Sequence, residues 1–220
     1  MPIVQWASLS YTFDMNNRDY KISGVGSYFH IYNRGNAKEN IFINEEDYNF
    51  FLLRLKQNLF PEENDNPRIK SLPPNSFSFI AYCLMPNHFH LLMRQNSDIS
   101  LGKFISKLST SYSKFLNKKY GRVGHVFQDQ FKQAYIDDNK YLVWVTAYIH
   151  QNPRTAGLIG DSTKYKWSSL QNYLGNDSYI KCEKNVILEQ YKDRVDFLRD
   201  TNEIGKIISK NKIEYLLLDI

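Results

Sequence analysis

Residues 77–93 read Phe77-Ser78-Phe79-Ile80-Ala81-Tyr82-Cys83-Leu84-Met85-Pro86-Asn87-His88-Phe89-His90-Leu91-Leu92-Met93. Two apolar, β-favouring runs, Phe77 to Leu84 and His88 to Met93, flank Met85-Pro86-Asn87, which predicts an antiparallel hairpin with its turn at the proline. Side chains alternate faces along a strand, so His88 and His90 share one side while Phe89 and Leu91 take the other. Two imidazoles on one rigid strand can chelate one divalent ion. The competing reading is a pair of unrelated polar positions on a half-exposed strand.

Working outward, Tyr28-Phe29-His30-Ile31-Tyr32 is a further strand that stops at the turn Asn33-Arg34-Gly35. Asn44 offers a cap to an amphipathic helix striped by Tyr48, Phe51, Leu52, Leu55 and Leu59, and residues 61–75 have loop composition. Beyond the hairpin, Ser100 can cap a helix with Phe104, Ile105, Leu108, Tyr112, Phe115 and Leu116 on one face, ended by Gly121-Arg122-Val123-Gly124. A strand within Val126 to Ile136 follows. Asp137 or Asp138 then caps a helix carrying Tyr141, Leu142, Val145, Tyr148 and Ile149, with Asn152-Pro153 as its expected stop. This order predicts an α+β fold with helices layered on an antiparallel sheet.

Residues 1–27 are polar and weakly periodic and read as an N-terminal extension to a folded unit at 28–175. Residues 176–220 read as a helical tail, with helices such as Val186 to Leu198. Eight basic and eight acidic side chains cancel between residues 181 and 220.

The 220 residues are 42% hydrophobic and 23% charged, enough for one sizeable core and too apolar for a disordered chain. No apolar run reaches the roughly 18–20 residues that span a bilayer, and the first residues lack a cationic segment followed by an apolar one. The expected location is therefore cytoplasmic, with no membrane partner. Cys83 and Cys182 are the only cysteines, which excludes a disulfide framework or a cysteine-rich zinc site and directs any metal to His, carboxylate or amide ligands.

The net charge of +5 is a weak nucleic-acid signal overall, but its distribution is uneven. Residues 102–133 hold seven cations (Lys103, Lys107, Lys114, Lys118, Lys119, Arg122, Lys132) against Asp129 alone. Lys103, Lys107, Lys114 and Lys118 share a helical face that can track phosphates, and the adjacent tyrosines and Phe127 can stack on unpaired bases. The alternative is a merely solvated face. Tyr148 and Asn152, four residues apart, share a face of their helix, where a tyrosine on the apolar stripe is ordinarily packing.

Five segments in order give these residues a context. They are Tyr28-Phe29-His30-Ile31-Tyr32-Asn33-Arg34-Gly35-Asn36, Cys83 to Leu92, Tyr120-Gly121-Arg122-Val123-Gly124-His125-Val126-Phe127-Gln128, Tyr148-Ile149-His150-Gln151-Asn152-Pro153 and Trp167-Ser168-Ser169. Together, from about Tyr28 to about Gly175, the chain resembles the IS200-like single-tyrosine transposases, and most closely the bacterial branch associated with repetitive extragenic palindromes.

The resemblance implies the ferredoxin-like sheet of the HUH endonucleases, followed here by a C-terminal helical extension. It implies that His88 and His90 bind a divalent metal, Mg²⁺ or Mn²⁺, that Tyr148 is the nucleophile, and that Asn152 takes the place of the third ligand. Insertion-sequence relatives have a glutamine four residues after the tyrosine, the palindrome-associated branch an asparagine; Gln151 is the rival at a less suitable spacing. The implied activity is transposition by cutting and rejoining hairpin-bearing single-stranded DNA through a 5′-phosphotyrosine, with the protein acting at the nucleoid as a monomer or homodimer.

A domesticated protein that binds hairpins or repeats without cutting is the alternative. A cupin is disfavoured because no glutamate follows the histidines before Glu183, and a two-histidine phosphoesterase because a second H-x-T or H-x-S is absent.

Arg34, Lys38 and His125 are further candidates for DNA contact, although Arg34 also suits a structural turn and His125 an exposed loop. His150 suits packing or support of the site. Tyr112 and Tyr141 are rival nucleophiles better suited to the core. One departure stands out: relatives continue Gln-Gly-Arg-Phe-Lys after the glycine loop, whereas this chain has Gln128-Asp129-Gln130-Phe131-Lys132, removing a cation and adding an anion beside the expected DNA path.

Overall fold

The computed structural model describes residues 24–63 and 70–211. Most of the expected N-terminal extension, the middle of the 61–75 loop and the end of the tail lie outside the described residues.

The turn between the two apolar runs shortens to Pro86-Asn87, joining β2 (Phe77–Met85) to β3 (His88–Gln95), with Met85 opposite His88. β1 (Tyr28–Arg34) pairs antiparallel with β3, and β4 (Lys132–Ile136) pairs antiparallel with the other edge of β1. The sheet order is β2-β3-β1-β4. With α1 (Glu45–Leu59) between β1 and β2, and α2 (Leu101–Tyr120) between β3 and β4, this is the expected ferredoxin-like arrangement, and α3 (Asn139–Thr155) follows it.

The caps read from the sequence form. Asn44 and Asp47 make a capping box on α1, Ser100 accepts from Lys103 N on α2, Gly121 closes α2 with φ +60°, and Asp138 accepts from Tyr141 N on α3.

Both faces of the sheet are covered, which is why every residue of β2 is buried and the strand reads as an apolar run interrupted only by Ser78. On one face Phe29, Ile31, Phe89, Leu91 and Met93 meet Phe51 and Leu55 of α1 and Phe104, Leu108 and Tyr112 of α2. On the other, Tyr32, Ala81, Cys83 and Leu92 meet Val145, Tyr148 and Ile149 of α3.

Three expectations differ in detail. β1 runs two residues beyond Tyr32 because Asn33 and Arg34 still pair with Phe89 and His88. α3 passes through Pro153 to Thr155. The proline removes one donor within the last turn, and Ala156 N donating to Asn152 O, with Thr155 Oγ1 donating to Gln151 O and Asn152 O, maintains that turn.

The span Val186 to Leu198 is two helices. After the short α4 (Leu170–Leu174), α5 (Asn185–Leu188) ends before Asp193, which starts α6 (Arg194–Asn211) by accepting from Asp196 N. α6 lies along α3, burying Phe197, Ile204 and Ile208 in the same core as Tyr148 and Ile149. No helix among the described residues is long and apolar enough to cross a membrane.

Candidate active site

Strand alternation places His88 and His90 on the α3 face of β3, as expected. α3 crosses that face so that the Asn152 side chain sits between the two imidazoles: Asn152 Oδ1 is 3.3 Å from His88 Nε2, and Asn152 Nδ2 is 3.2 Å from His90 Nε2. One turn earlier, the Tyr148 ring meets the His90 ring edge-on, with centroids 5.5 Å apart, and stacks on Trp144 at 5.6 Å. The group is buried, with Tyr148 3% exposed, His90 1%, Asn152 1% and His88 8%.

The far nitrogen of each imidazole is also engaged. Asn87 holds its amide by donating Nδ2 to Lys38 O, and its Oδ1 lies 2.6 Å from His88 Nδ1. His90 Nδ1 lies 3.0 Å from His30 Nε2. Burial pushes the His30 pKa down to about 3, so this imidazole is neutral near neutral pH. Burial, then the neighbouring His88 and His30, also holds His90 well below the usual histidine range.

The donor set suits a cation. His88 faces an amide oxygen from each ring nitrogen, and a neutral imidazole carries only one N–H. If Nδ1 donates to Asn87 Oδ1, the Nε2 lone pair confronts Asn152 Oδ1, and a second proton or a cation between the two atoms relieves the repulsion. Among the described residues no group of three or more His, Cys, Asp or Glu has metal-binding placement, so a third protein ligand beside His88 and His90 would be a neutral oxygen donor such as an amide. Asn152 is in place for that. Gln151 is not: its amide donates to Asn202 Oδ1 and accepts from Ser162 Oγ on the side toward α6.

The rival tyrosines lie elsewhere. Tyr112 is buried in the opposite core, where it donates to Ile41 O and burial raises its pKa far above the ordinary phenol value. Tyr141 is packed near the start of α3 with its pKa likewise raised by burial. His150 Nε2 meets Ser169 Oγ at 2.8 Å, and that hydroxyl accepts from Tyr82 N. The Trp167-Ser168-Ser169 motif thereby seals the edge of β2, with Leu84 N donating to Trp167 O and Ser169 N donating to Tyr82 O.

The candidate DNA contacts divide between two faces. Arg34 pairs in register with His88, and Lys132 with Tyr32, so both belong to the histidine face; Arg34 Nε donates to Gln128 Oε1, and Lys132 Nζ lies 5.8 Å from the Tyr32 ring centroid. Lys103, Lys107, Lys114 and Lys118 lie on α2, which covers the opposite face of the sheet. There Lys107 and Lys114 line a groove of about 550 Å³ with Arg54 and Lys70. Arg122 pairs with Glu39 at 2.6 Å, and His125 is exposed in the loop after α2.

Asp129 accepts from Gln130 N through its carboxylate and from Asn33 Nδ2 through its carbonyl, fastening the loop to the end of β1. His30 and Asn87 had no assigned role in the sequence reading. Period-two alternation from Tyr28 was the available signal for His30, but it becomes informative only once the β1–β3 register is known.

Residues 70–152, running from before β2 to the asparagine of α3, match the family model described as transposase IS200 like. This segment is similar to the IS200-like transposases. The match includes His88, His90, Tyr148 and Asn152 and excludes His30.

Among solved structures, the chain is similar to a REP-associated tyrosine transposase bound to a REP hairpin, with 16% identity, 68% of this chain and 79% of that chain covered, and a TM-score of 0.51. A candidate transposase from Deinococcus radiodurans R1 is 11% identical over 55% of this chain and 88% of its own, with a TM-score of 0.37. The first likeness is one of fold, and it agrees with the sheet described above; the second is too distant to add to it. No curated protein matches the chain.

Proposed function

We propose that the chain is a metal-dependent endonuclease and strand transferase acting on hairpin-bearing single-stranded DNA, with Tyr148 as nucleophile and His88, His90 and Asn152 as metal ligands. The observation that carries this reading is the convergence of His88 Nε2, His90 Nε2 and the Asn152 amide beside the Tyr148 ring, all within one chain. Held by those three ligands, Mg²⁺ or Mn²⁺ would neutralise charge on the scissile phosphate, which matters because a phenol with an unperturbed pKa of about 10 is a weak nucleophile at neutral pH.

Tyr148 Oη forms a bond to phosphorus and loses its proton, while the bond from phosphorus to the 3′ oxygen breaks and that oxygen takes up a proton. The products are a 5′-phosphotyrosine and a free 3′-hydroxyl. Attack by another 3′-hydroxyl reverses the exchange with a new partner strand, and no nucleotide cofactor is needed because the phosphodiester energy is conserved. Arg34 and Lys132, on the same face as the histidines, would hold flanking phosphates. The neighbour of like fold is bound to a REP hairpin, and a palindromic hairpin next to a single-stranded cleavage site is the substrate proposed here.

The test is covalent capture. With Mn²⁺ and a labelled single strand carrying a palindromic hairpin, the protein should yield an adduct that survives denaturing electrophoresis. Tyr148→Phe should abolish the adduct and retain binding, and His88→Ala with His90→Ala should abolish metal-dependent cleavage. An undiminished adduct in Tyr148→Phe would refute the nucleophile; binding without any adduct across a panel of hairpins would favour a hairpin-binding protein that does not cut.

A further inference from the structure

His90 is the more buried of the two histidines, and its Nδ1 has a partner whose role sequence motifs do not identify. Strand β1 places His30 beside His90, with Tyr32 opposite His90 in the register and the His30 and His90 ring centroids 5.1 Å apart at 26° between planes. The contact runs from His90 Nδ1 to His30 Nε2 at 3.0 Å, both rings being essentially excluded from solvent. His90 Nε2 faces the Asn152 amide nitrogen at 3.2 Å, and an N–H donor requires a lone pair opposite it. A neutral imidazole with its lone pair on Nε2 carries its proton on Nδ1, where His30 Nε2 is the acceptor. Asn87 Oδ1 stands in the corresponding place at His88 Nδ1.

We propose that His30 is a positioning residue that holds His90 in the Nδ1–H tautomer, so that the Nε2 lone pair is presented to the metal site. This inference rests on the metal reading above for its consequence, but the tautomer is a property of the protein without metal. The physical basis is general: a ligating imidazole is oriented by the acceptor of its other N–H, and removing that acceptor weakens metal binding by about ten- to a hundredfold. His30 occupies a buried position on a central strand, and its ring centroid lies 6.0 Å from that of Tyr148 as well. A leucine there would keep the core filled and remove only the acceptor. A glutamine would return an acceptor at the reach of His Nε2.

Long-range ¹H–¹⁵N correlation of the imidazole nitrogens in the metal-free protein reads the tautomer directly. Wild type is expected to show His90 protonated on Nδ1, His30→Leu to lose that preference and His30→Gln to recover it. A proton on His90 Nε2 in the wild type means that His30 donates instead, and overturns the proposal. Mn²⁺ titration by electron paramagnetic resonance reads the consequence: affinity should fall about ten- to a hundredfold in His30→Leu and return most of the way in His30→Gln.

Unchanged Mn²⁺ affinity in a folded His30→Leu, or no recovery in a folded His30→Gln, also overturns it. If instead the wild type shows the Nδ1–H tautomer but binds Mn²⁺ no better than His88→Ala with His90→Ala, the metal assignment of the site fails and the tautomer lock stands.

Discussion

Asp47, fully buried at the start of α1, lies 2.7 Å from Lys119 Nζ at the end of α2. Burial works against charge on this carboxyl, but Lys119, the Ile43 and Asn44 backbone N–H groups and the Tyr120 hydroxyl outweigh it and hold its pKa below the ordinary value. One carboxylate thus caps one helix and anchors the last turn of the other, fixing how α1 and α2 lie on the sheet.

Replacing it with asparagine keeps the shape and turns a two-oxygen acceptor into one that also carries donors. Asp47→Asn is expected to cost about 2 kcal/mol at pH 7, in the range for leaving buried donors unpaired. The depressed folded-state pKa makes the wild-type advantage fully present above the unfolded value of about 3.9 and lost as pH falls through the folded value. Urea denaturation of both proteins should therefore show a gap at pH 7 that narrows below about pH 4; a pH-independent gap would refute the charge argument.

The contact of His150 with Ser169 predicts a stability effect separable from chemistry. Ser169 Oγ accepts from Tyr82 N and meets His150 Nε2, so it joins the edge of β2 to the helix that carries Tyr148. Ser169→Ala leaves both groups buried without that partner and should lower stability by about 1–3 kcal/mol. Under conditions where the variant is folded, the amount of tyrosine adduct should match the wild type. A large loss of adduct without a loss of stability would assign Ser169 to the chemistry instead.

Gly205 of α6 faces Gln151 of α3 so closely that a Cβ would lie 2.8–3.0 Å from the Gln151 amide and Cγ. Gln151 cannot easily move, because its amide donates to Asn202 and accepts from Ser162. In an exposed helix Gly→Ala stabilises by about 1 kcal/mol. Here the sign should reverse, with Gly205→Ala destabilising by about 1–3 kcal/mol through overpacking. Thermal denaturation decides it: a raised melting temperature would mean that α6 is not held against α3 by this approach.

These effects mark the boundary of what a single sequence conveys. Much of the local structure was legible: the Asn44, Ser100 and Asp138 caps, the hairpin at Pro86, and the alternation that puts His88 and His90 together. Relationships across elements were not. His30 meets His90 because of a β1–β3 register that no local pattern encodes. The lysines of α2 share a helical face by period, yet which face of the sheet α2 covers depends on the path of the chain, and it is the face away from the histidines.

The tail read as cancelling charges, although Phe197, Thr201, Ile204 and Ile208 recur at three- and four-residue intervals and are all buried in the described helix. That stripe was the available signal that α6 covers α3. Pro153 misled for a physical reason as well: in a last turn it removes one hydrogen bond, and Thr155 Oγ1 donates to two carbonyls of the same turn.

The loop at Asp129-Gln130 carries the last prediction. Asp129 is exposed, and its carboxylate caps its own loop by accepting from Gln130 N, while its backbone carbonyl accepts from Asn33 Nδ2 near the end of β1. The backbone attachment does not need the carboxylate, so Asp129→Gly with Gln130→Arg should preserve the loop while raising its charge by two. If DNA passes over Arg34 and Lys132 on this face, affinity for single-stranded DNA should rise, and each added phosphate contact should steepen the dependence of log affinity on log salt by about 0.7. Fluorescence anisotropy across a salt series measures both quantities. An unchanged slope would place the DNA path away from this loop and direct attention to the groove lined by Arg54, Lys107 and Lys114 on the opposite face.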